Sequence, residues 1–285
     1  MPDSTEFRHG TCNLECRTGP DASAALTESR CRIPASEGIG LPSARRGSGK
    51  CIANRLDLIA GRLNQTKSRT FLIASILALT AVAVAVRIID LGALSFFGDE
   101  ETTALAARSF AEGLGSKMPS GMPYRRALPF TWLNALSAHF LGLDSEFAYR
   151  LPAALIGALT VPLLYFVTAG IAGPGAGLFA ALLLALSGWH LVWSRTARMY
   201  APLLFVALAF FAVVYRWQRS GHRRTLAAAF LLYLLAVFLH SAGGALALLP
   251  ILFALLYDSD RVRARDGILV ALLMVVCGWL LDRLF

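Results

Sequence analysis

Apolar residues in this chain come in long blocks separated by short polar runs. The first block, residues 70–89, has about the twenty residues that a bilayer core requires. A polar stretch, 91–149, follows, and beyond it the chain is almost continuously apolar. Residues 151–171, 178–193, 201–215 and 267–281 each read as a further crossing. Residues 225–257 are too long for one comfortable crossing and short for two. Two short spans meeting at His240 give the better charge balance, because Arg261, Arg263 and Arg265 then fall inside. One long tilted helix is the alternative. The pattern predicts an all-α polytopic membrane protein with about seven transmembrane helices.

Within 91–149 the period changes. Residues 102–111 place Leu105, Ala106 and Phe110 on one helical face, and Gly113 is a stop signal. Pro119, Ser120 and Gly121 mark a turn-rich link. Leu128, Trp132, Leu136 and Phe140 then recur every fourth residue, as in a helix lying on the membrane surface, and Gly142 ends it. Residues 1–68 are rich in Ser, Gly, Pro and Arg with weak periodicity, so they read as a disordered tail with one short surface helix over 52–63. The chain thus divides into a basic tail, 1–68, and a transmembrane domain, 70–285.

Composition agrees: 56% of residues are hydrophobic, 16% are charged, and the mean hydropathy is +0.58. A soluble domain carries about a quarter charged residues. The net charge of +9 lies in the tail and loops, with no aromatic-interleaved basic groove, so nucleic acid is not the implied partner. Arg62, Lys67 and Arg69 directly precede the first block, which keeps the N-terminus in the cytoplasm and puts 91–149 outside. Four of the five cysteines are in the tail, and Cys12-x3-Cys16 has no second short-spaced pair, so a zinc site is not predicted. Arg87, near the outer end of the first block, is expected to reach up to the headgroups; a phosphate contact is the alternative.

On this topology the outer face collects Asp99, Glu100, Glu101, Arg125, Arg126, Arg195, Arg198 and His240. A carboxylate beside several guanidinium groups suits sugar transfer from a lipid phosphate. The acid takes the proton of the attacking hydroxyl, and the cations stabilise the departing phosphate. Arg suits that second role because its planar fork matches phosphate oxygens. By spacing alone the same residues read as solvated loop charges, with Asp99 and Glu100 merely capping a helix.

The order of the motifs adds a resemblance. Arg87-Ile88-Ile89-Asp90 is followed by Phe97-Gly98-Asp99-Glu100, then Pro119 to Ala127, then Tyr149-Arg150-Leu151-Pro152, then Ser194-Arg195-Thr196-Ala197-Arg198-Met199-Tyr200. Together they resemble the GT-C glycosyltransferases that use polyprenyl-phosphate sugars, such as the protein O-mannosyltransferases of glycosyltransferase family 39 and the lipid A aminoarabinose transferase.

That resemblance implies a GT-C-like transmembrane domain and an inverting transferase of the inner, or plasma, membrane acting on its outer side. Its donor is a polyprenyl-phosphate sugar and its acceptor a hydroxyl of a protein, lipid or glycan. It assigns Asp99 as catalytic acid with Glu100 beside it. It sets Arg125, Arg126, Arg195, Arg198 and, more loosely, His240 near the lipid phosphate. No cofactor is implied, and a divalent metal is possible without being required. Relatives that carry a second acid and a Lys before the surface helix differ here, where Tyr124-Arg125-Arg126 stands. Relatives also carry more spans, so the chain is expected to match their front half to two-thirds. Two other readings stand beside this one: a transporter or flippase of lipid-linked sugars, and a non-catalytic remnant.

Overall fold

In the computed structural model, residues 70–256 and 261–284 are described, apart from the side chains at 261, 262, 282 and 284. The tail, its expected short helix and its cysteines lie outside them. The described residues are helical, with one isolated antiparallel bridge, Lys117 to Pro123, closing the turn-rich link. No strand forms among them, as the patterning predicts.

Helix α1, Thr70–Ile88, is the first span. Two shorter helices follow in the polar stretch: α2, Asp99–Ala111, and α3, Leu128–Leu141. Helix α4, Glu146–Ala172, is a span of 27 residues, and α5, Pro174–Leu186, turns back from it at Gly173. Gly173 has φ 90°, a left-handed conformation that glycine adopts without steric cost. Then come α6, Gly188–Ser194, α7, Tyr200–Ser220, and α8, Arg223–Leu239. A 3-10 helix, Ser241–Ala247, leads into α9, Leu248–Leu256, and α10 is Arg261–Leu284.

The span count differs from the expectation. Four described helices are long and apolar enough to cross a bilayer, and α5 with α6 makes a fifth if that bent pair is one span. The other two predicted crossings are shorter. Helix α8 has 17 residues, about 25 Å at 1.5 Å per residue, against a core of about 30 Å. The apolar segment Ser241–Leu256 is no longer. The break does fall at His240, where the backbone is extended (φ −164°), so the single long helix is excluded. The expected third crossing is bent by 62° at Ser187. Ser187 accepts a hydrogen bond from the backbone N–H of His190, so the chain restarts a capped helix there.

Helix α3 behaves as its stripe predicts. Phe130, Thr131, Asn134, Ala135 and Ala138 face inward, while Trp132, Leu136 and Phe140 stay exposed, an apolar face suited to lipid. Arg87 departs from its expected reach to the headgroups. It is 0% exposed, and its Nη1 donates to the Ala83 carbonyl at 2.9 Å. The cause is close packing against α4 at Gly157, where an added Cβ would lie 3.5 Å from Arg87 Nε and would overlap Ser194 Oγ. Without a side chain at 157 there is room for both groups beside α4, and each donates to a carbonyl of its own helix.

Candidate functional site

Three loop regions and two helix starts meet above α4. Gly98 takes φ 56°, and this left-handed turn starts α2 at Asp99, three residues before the predicted start. Asp99, Glu100 and Glu101 therefore occupy the first turn, where unpaired N–H groups favour negative charge. Residues two places apart in sequence on a helix point about 200° apart, and adjacent ones about 100° apart. So neighbouring acids here take different surroundings.

Glu100 turns inward. Arg150, in the first turns of α4, donates from Nε to Oε1 and from Nη2 to Oε2, each at 2.9 Å. The two side chains are only 4% and 6% exposed. Arg150 also donates to the carbonyls of Leu91, Leu94 and Ser95, at 3.1, 2.6 and 3.1 Å. Glu100 Oε1 accepts the Ala197 N–H at 2.6 Å, and Oε2 accepts the Phe97 N–H at 3.3 Å. Such a pair is costly to desolvate, and removing one partner strands a buried charge, a loss of about 3–5 kcal/mol.

Asp99 turns outward, 72% exposed at its side chain. Arg198, in the turn between α6 and α7, is buried and reaches it. Arg198 Nη2 donates to Asp99 Oδ2 at 3.1 Å, and Nη1 donates to the Asp99 carbonyl at 3.1 Å and to Thr103 Oγ1 at 3.2 Å. Thr103 Oγ1 is in turn 3.2 Å from the Tyr124 hydroxyl. The guanidinium lies 5.7 Å from the Tyr200 ring centre, a cation–π contact.

Asp99 and Arg198 open into a cavity of about 480 Å³. Arg125, Arg126, Tyr200 and His240 also line it, with Leu239 and Leu281 supplying apolar wall. The arginine pair is aimed by Ala127, whose φ of 48° turns the chain sharply into α3. A non-glycine residue there is uncommon. His240 stands at the corner between α8 and the 3-10 helix. Its Nδ1 accepts the Ala242 N–H at 3.0 Å, so the neutral ring carries its proton on Nε2. Its ring lies 5.8 Å from that of Tyr200. A second cavity, about 240 Å³, shares Val237 and Ser241 with the first and is lined by Tyr233, Val275 and Trp279.

The structure thus brings Asp99, Arg125, Arg126, Arg198 and His240 together from four separate segments. It places two expected site residues elsewhere. Glu100 does not line the cavity; both its oxygens are engaged beneath it. Arg195 is held by the end of α1, donating to the carbonyls of Val86, Ile89 and Asp90 at 2.8, 2.7 and 3.2 Å. A cation there complements the carbonyl end of a helix. Sequence reading gave no role to Arg150, Thr103 or Tyr124. Only Arg150 carried a signal: an arginine one residue before an apolar span, in Arg150-Leu151-Pro152. Among the described residues, no group of three or more His, Cys, Asp or Glu side chains gathers.

No protein of curated function matches the sequence. Solved structures do match the fold. The archaeal oligosaccharyltransferase AglB from Archaeoglobus fulgidus, in complex with an inhibitory peptide and a dolichol-phosphate, is 15% identical with a TM-score of 0.60. The alignment covers 75% of this chain and 29% of AglB, so the chain spans less than a third of that protein's length. An oligosaccharyltransferase of the same organism in its apo form is 16% identical, with a TM-score of 0.58 over 73% of this chain and 29% of that one. At such identity the likeness is one of fold. The family profile described as "dolichyl-phosphate-mannose-protein mannosyltransferase" matches residues 125–278 of the 285, just over half of the chain and most of the cavity lining. On that match, with GT-C enzymes as fold neighbours, the chain belongs to the dolichyl-phosphate-mannose-protein mannosyltransferase family of membrane glycosyltransferases.

Proposed function

We propose that the chain transfers a sugar from a polyprenyl-phosphate donor to a hydroxyl acceptor, with inversion, on the extracytoplasmic side of the membrane. One observation carries the reading: a single cavity holds one exposed carboxylate, Asp99, among Arg125, Arg126, Arg198 and His240. Three guanidinium groups against one carboxylate leave net positive charge, which suits a phosphate monoester anion. The complex of AglB with a dolichol-phosphate lends support by fold likeness.

In this reading the acceptor oxygen attacks the anomeric carbon on the face opposite the phosphate. The C–O bond to phosphate breaks, and its electron pair leaves on the phosphate oxygen. Asp99 takes the hydroxyl proton. Arg198, Arg125 and Arg126 stabilise the charge developing on the leaving group, and the Nε2–H of His240 supplies a further donor. The apolar cavity lined by Tyr233 and Trp279 lies where the first units of the lipid would run. The cations can balance one phosphate without a metal.

The flippase reading draws on one feature, the break between α5 and α6 beside the buried Arg87. None of the residues lining the charged cavity lies on α5 or α6, so the observation favours transfer over transport. The test is chemical. The purified full-length protein is incubated with polyprenyl-phosphate sugars and a panel of hydroxyl acceptors. The expected result is release of free polyprenyl phosphate with a product of opposite anomeric configuration. Retained configuration, or movement of the intact donor between leaflets without cleavage, would contradict the proposal.

A further inference from the structure

Among the contacts that join the start of α2 to the turn before α7, two side-chain contacts of the acids are adjacent in both segments. Asp99 binds Arg198. Glu100 binds the backbone N–H of Ala197. The first contact is exposed on the carboxylate side; the second is buried. Resting on the transferase reading above, we propose that Glu100 is a positioning residue. Fixed by Arg150, it holds the Ala197 amide and so sets the separation between the base, Asp99, and the phosphate-binding cation, Arg198.

The geometry supports this in three ways. Glu100 has no freedom to serve the cavity, since Arg150 takes both its oxygens. Arg150 in turn is fixed by three carbonyls of the loop leaving α1, so the Glu100 carboxylate is tied to α4 and to the end of the first span at once. And the Ala197 N–H is one residue from Arg198, so any shift of that amide moves the guanidinium relative to Asp99. A contact with a carboxylate that is 72% exposed fixes little by itself, because solvent competes for that carboxylate. The buried rung beside it fixes the backbone that carries Arg198, whose Nη1 is held in addition by the Asp99 carbonyl and Thr103 Oγ1. A misplacement of about 1 Å between reacting groups can cost about 100-fold in rate.

Glu100→Asp and Glu100→Gln in the full-length protein test this. Asp keeps the charge but shortens the arm; Gln keeps an acceptor oxygen but loses the charge. The expected result for Glu100→Asp is a kcat about 100-fold lower. Its KM for the polyprenyl-phosphate sugar, and its binding of polyprenyl phosphate alone, should stay within about two-fold, since Arg125 and Arg126 keep their places and Arg198 keeps its charge. A parallel readout does not depend on turnover: amide hydrogen exchange across residues 194–200, expected to speed up in both variants. Wild-type kcat in either folded variant overturns the proposal. So does unchanged exchange across 194–200, or a rise in donor KM equal to the loss in kcat/KM. If the wild-type protein transfers no sugar, the transferase reading fails, and the exchange arm still decides whether Glu100 holds the Ala197 amide. If Glu100→Gln does not fold, Glu100→Asp alone carries the test.

Discussion

At the scale of single residues, neighbouring side chains of one type have opposite fates. Asp99 and Glu100 are both carboxylates in the first turn of α2, yet one faces a cavity and the other a buried arginine. Arg195 and Arg198 divide in the same way, the first to the end of α1 and the second to Asp99. This division predicts different phenotypes. Arg198→Lys loses the planar fork, and hydrogen bonds between charged groups are worth about 1.5–3 kcal/mol. The expected effect is a kcat/KM for the lipid donor about 10- to 100-fold lower in steady-state assays. Arg195→Gln should leave that KM within about two-fold and instead lower thermal stability by about 1–2 kcal/mol, read as an earlier unfolding transition in detergent. Equal effects of the two substitutions on donor KM would contradict the division. The residue types were readable from sequence; their partition was not. Which side of a helix a residue faces depends on where the helix starts, and Gly98 sets that start by a left-handed turn.

At the scale of elements, small residues decide how closely the helices approach. An added Cβ at Gly243 would lie 2.5 Å from the Ala236 backbone, which has no flexible end to move aside. Gly243→Ala should therefore push the 3-10 helix off α8 and carry His240 out of the cavity. The expected outcome is a destabilisation of about 1–3 kcal/mol together with weaker binding of polyprenyl phosphate. Gly157→Ala would overlap Ser194 Oγ, so it should shift α6 from α4 and cost a similar amount, measured by thermal denaturation. Periodicity predicted α3 and its exposed apolar stripe well, because Leu128, Trp132, Leu136 and Phe140 recur every fourth residue. It did not predict the bend at Ser187. An apolar run of 178–193 reads the same whether straight or broken, and a serine that caps a new helix is a single weak signal.

At the scale of the whole molecule, the alternation of apolar and polar blocks was enough to indicate a helical membrane protein with one long polar segment between its apolar helices. Of the seven crossings it counts, four or five are long and apolar enough among the described residues. Block counting takes no account of the 17 residues of α8, or of the short segment after His240, against the thickness of the bilayer. The gathering of Asp99, Arg125, Arg126, Arg198 and His240 was expected from the topology, which puts them all on one side, and from motif order; they are spread over 99–240 and no local pattern links them. The topology itself makes a prediction. With the native cysteines replaced by serine, Ser120→Cys in the turn-rich link should react with a membrane-impermeant maleimide added to intact cells. Ser220→Cys, at the other end of α7, should react only after permeabilisation. The reverse pattern would put the cavity in the cytoplasm and contradict the assigned side.

The central claim is that the exposed carboxylate of Asp99 takes the acceptor proton during sugar transfer. Asp99→Asn tests it most directly, because the amide keeps size and hydrogen bonding but does not act as a base at neutral pH. Single-turnover cleavage of a polyprenyl-phosphate sugar should fall by at least about 100-fold. Membrane insertion and polyprenyl-phosphate binding should remain as in the wild type. An Asp99→Asn protein that transfers sugar at the wild-type rate would contradict the account.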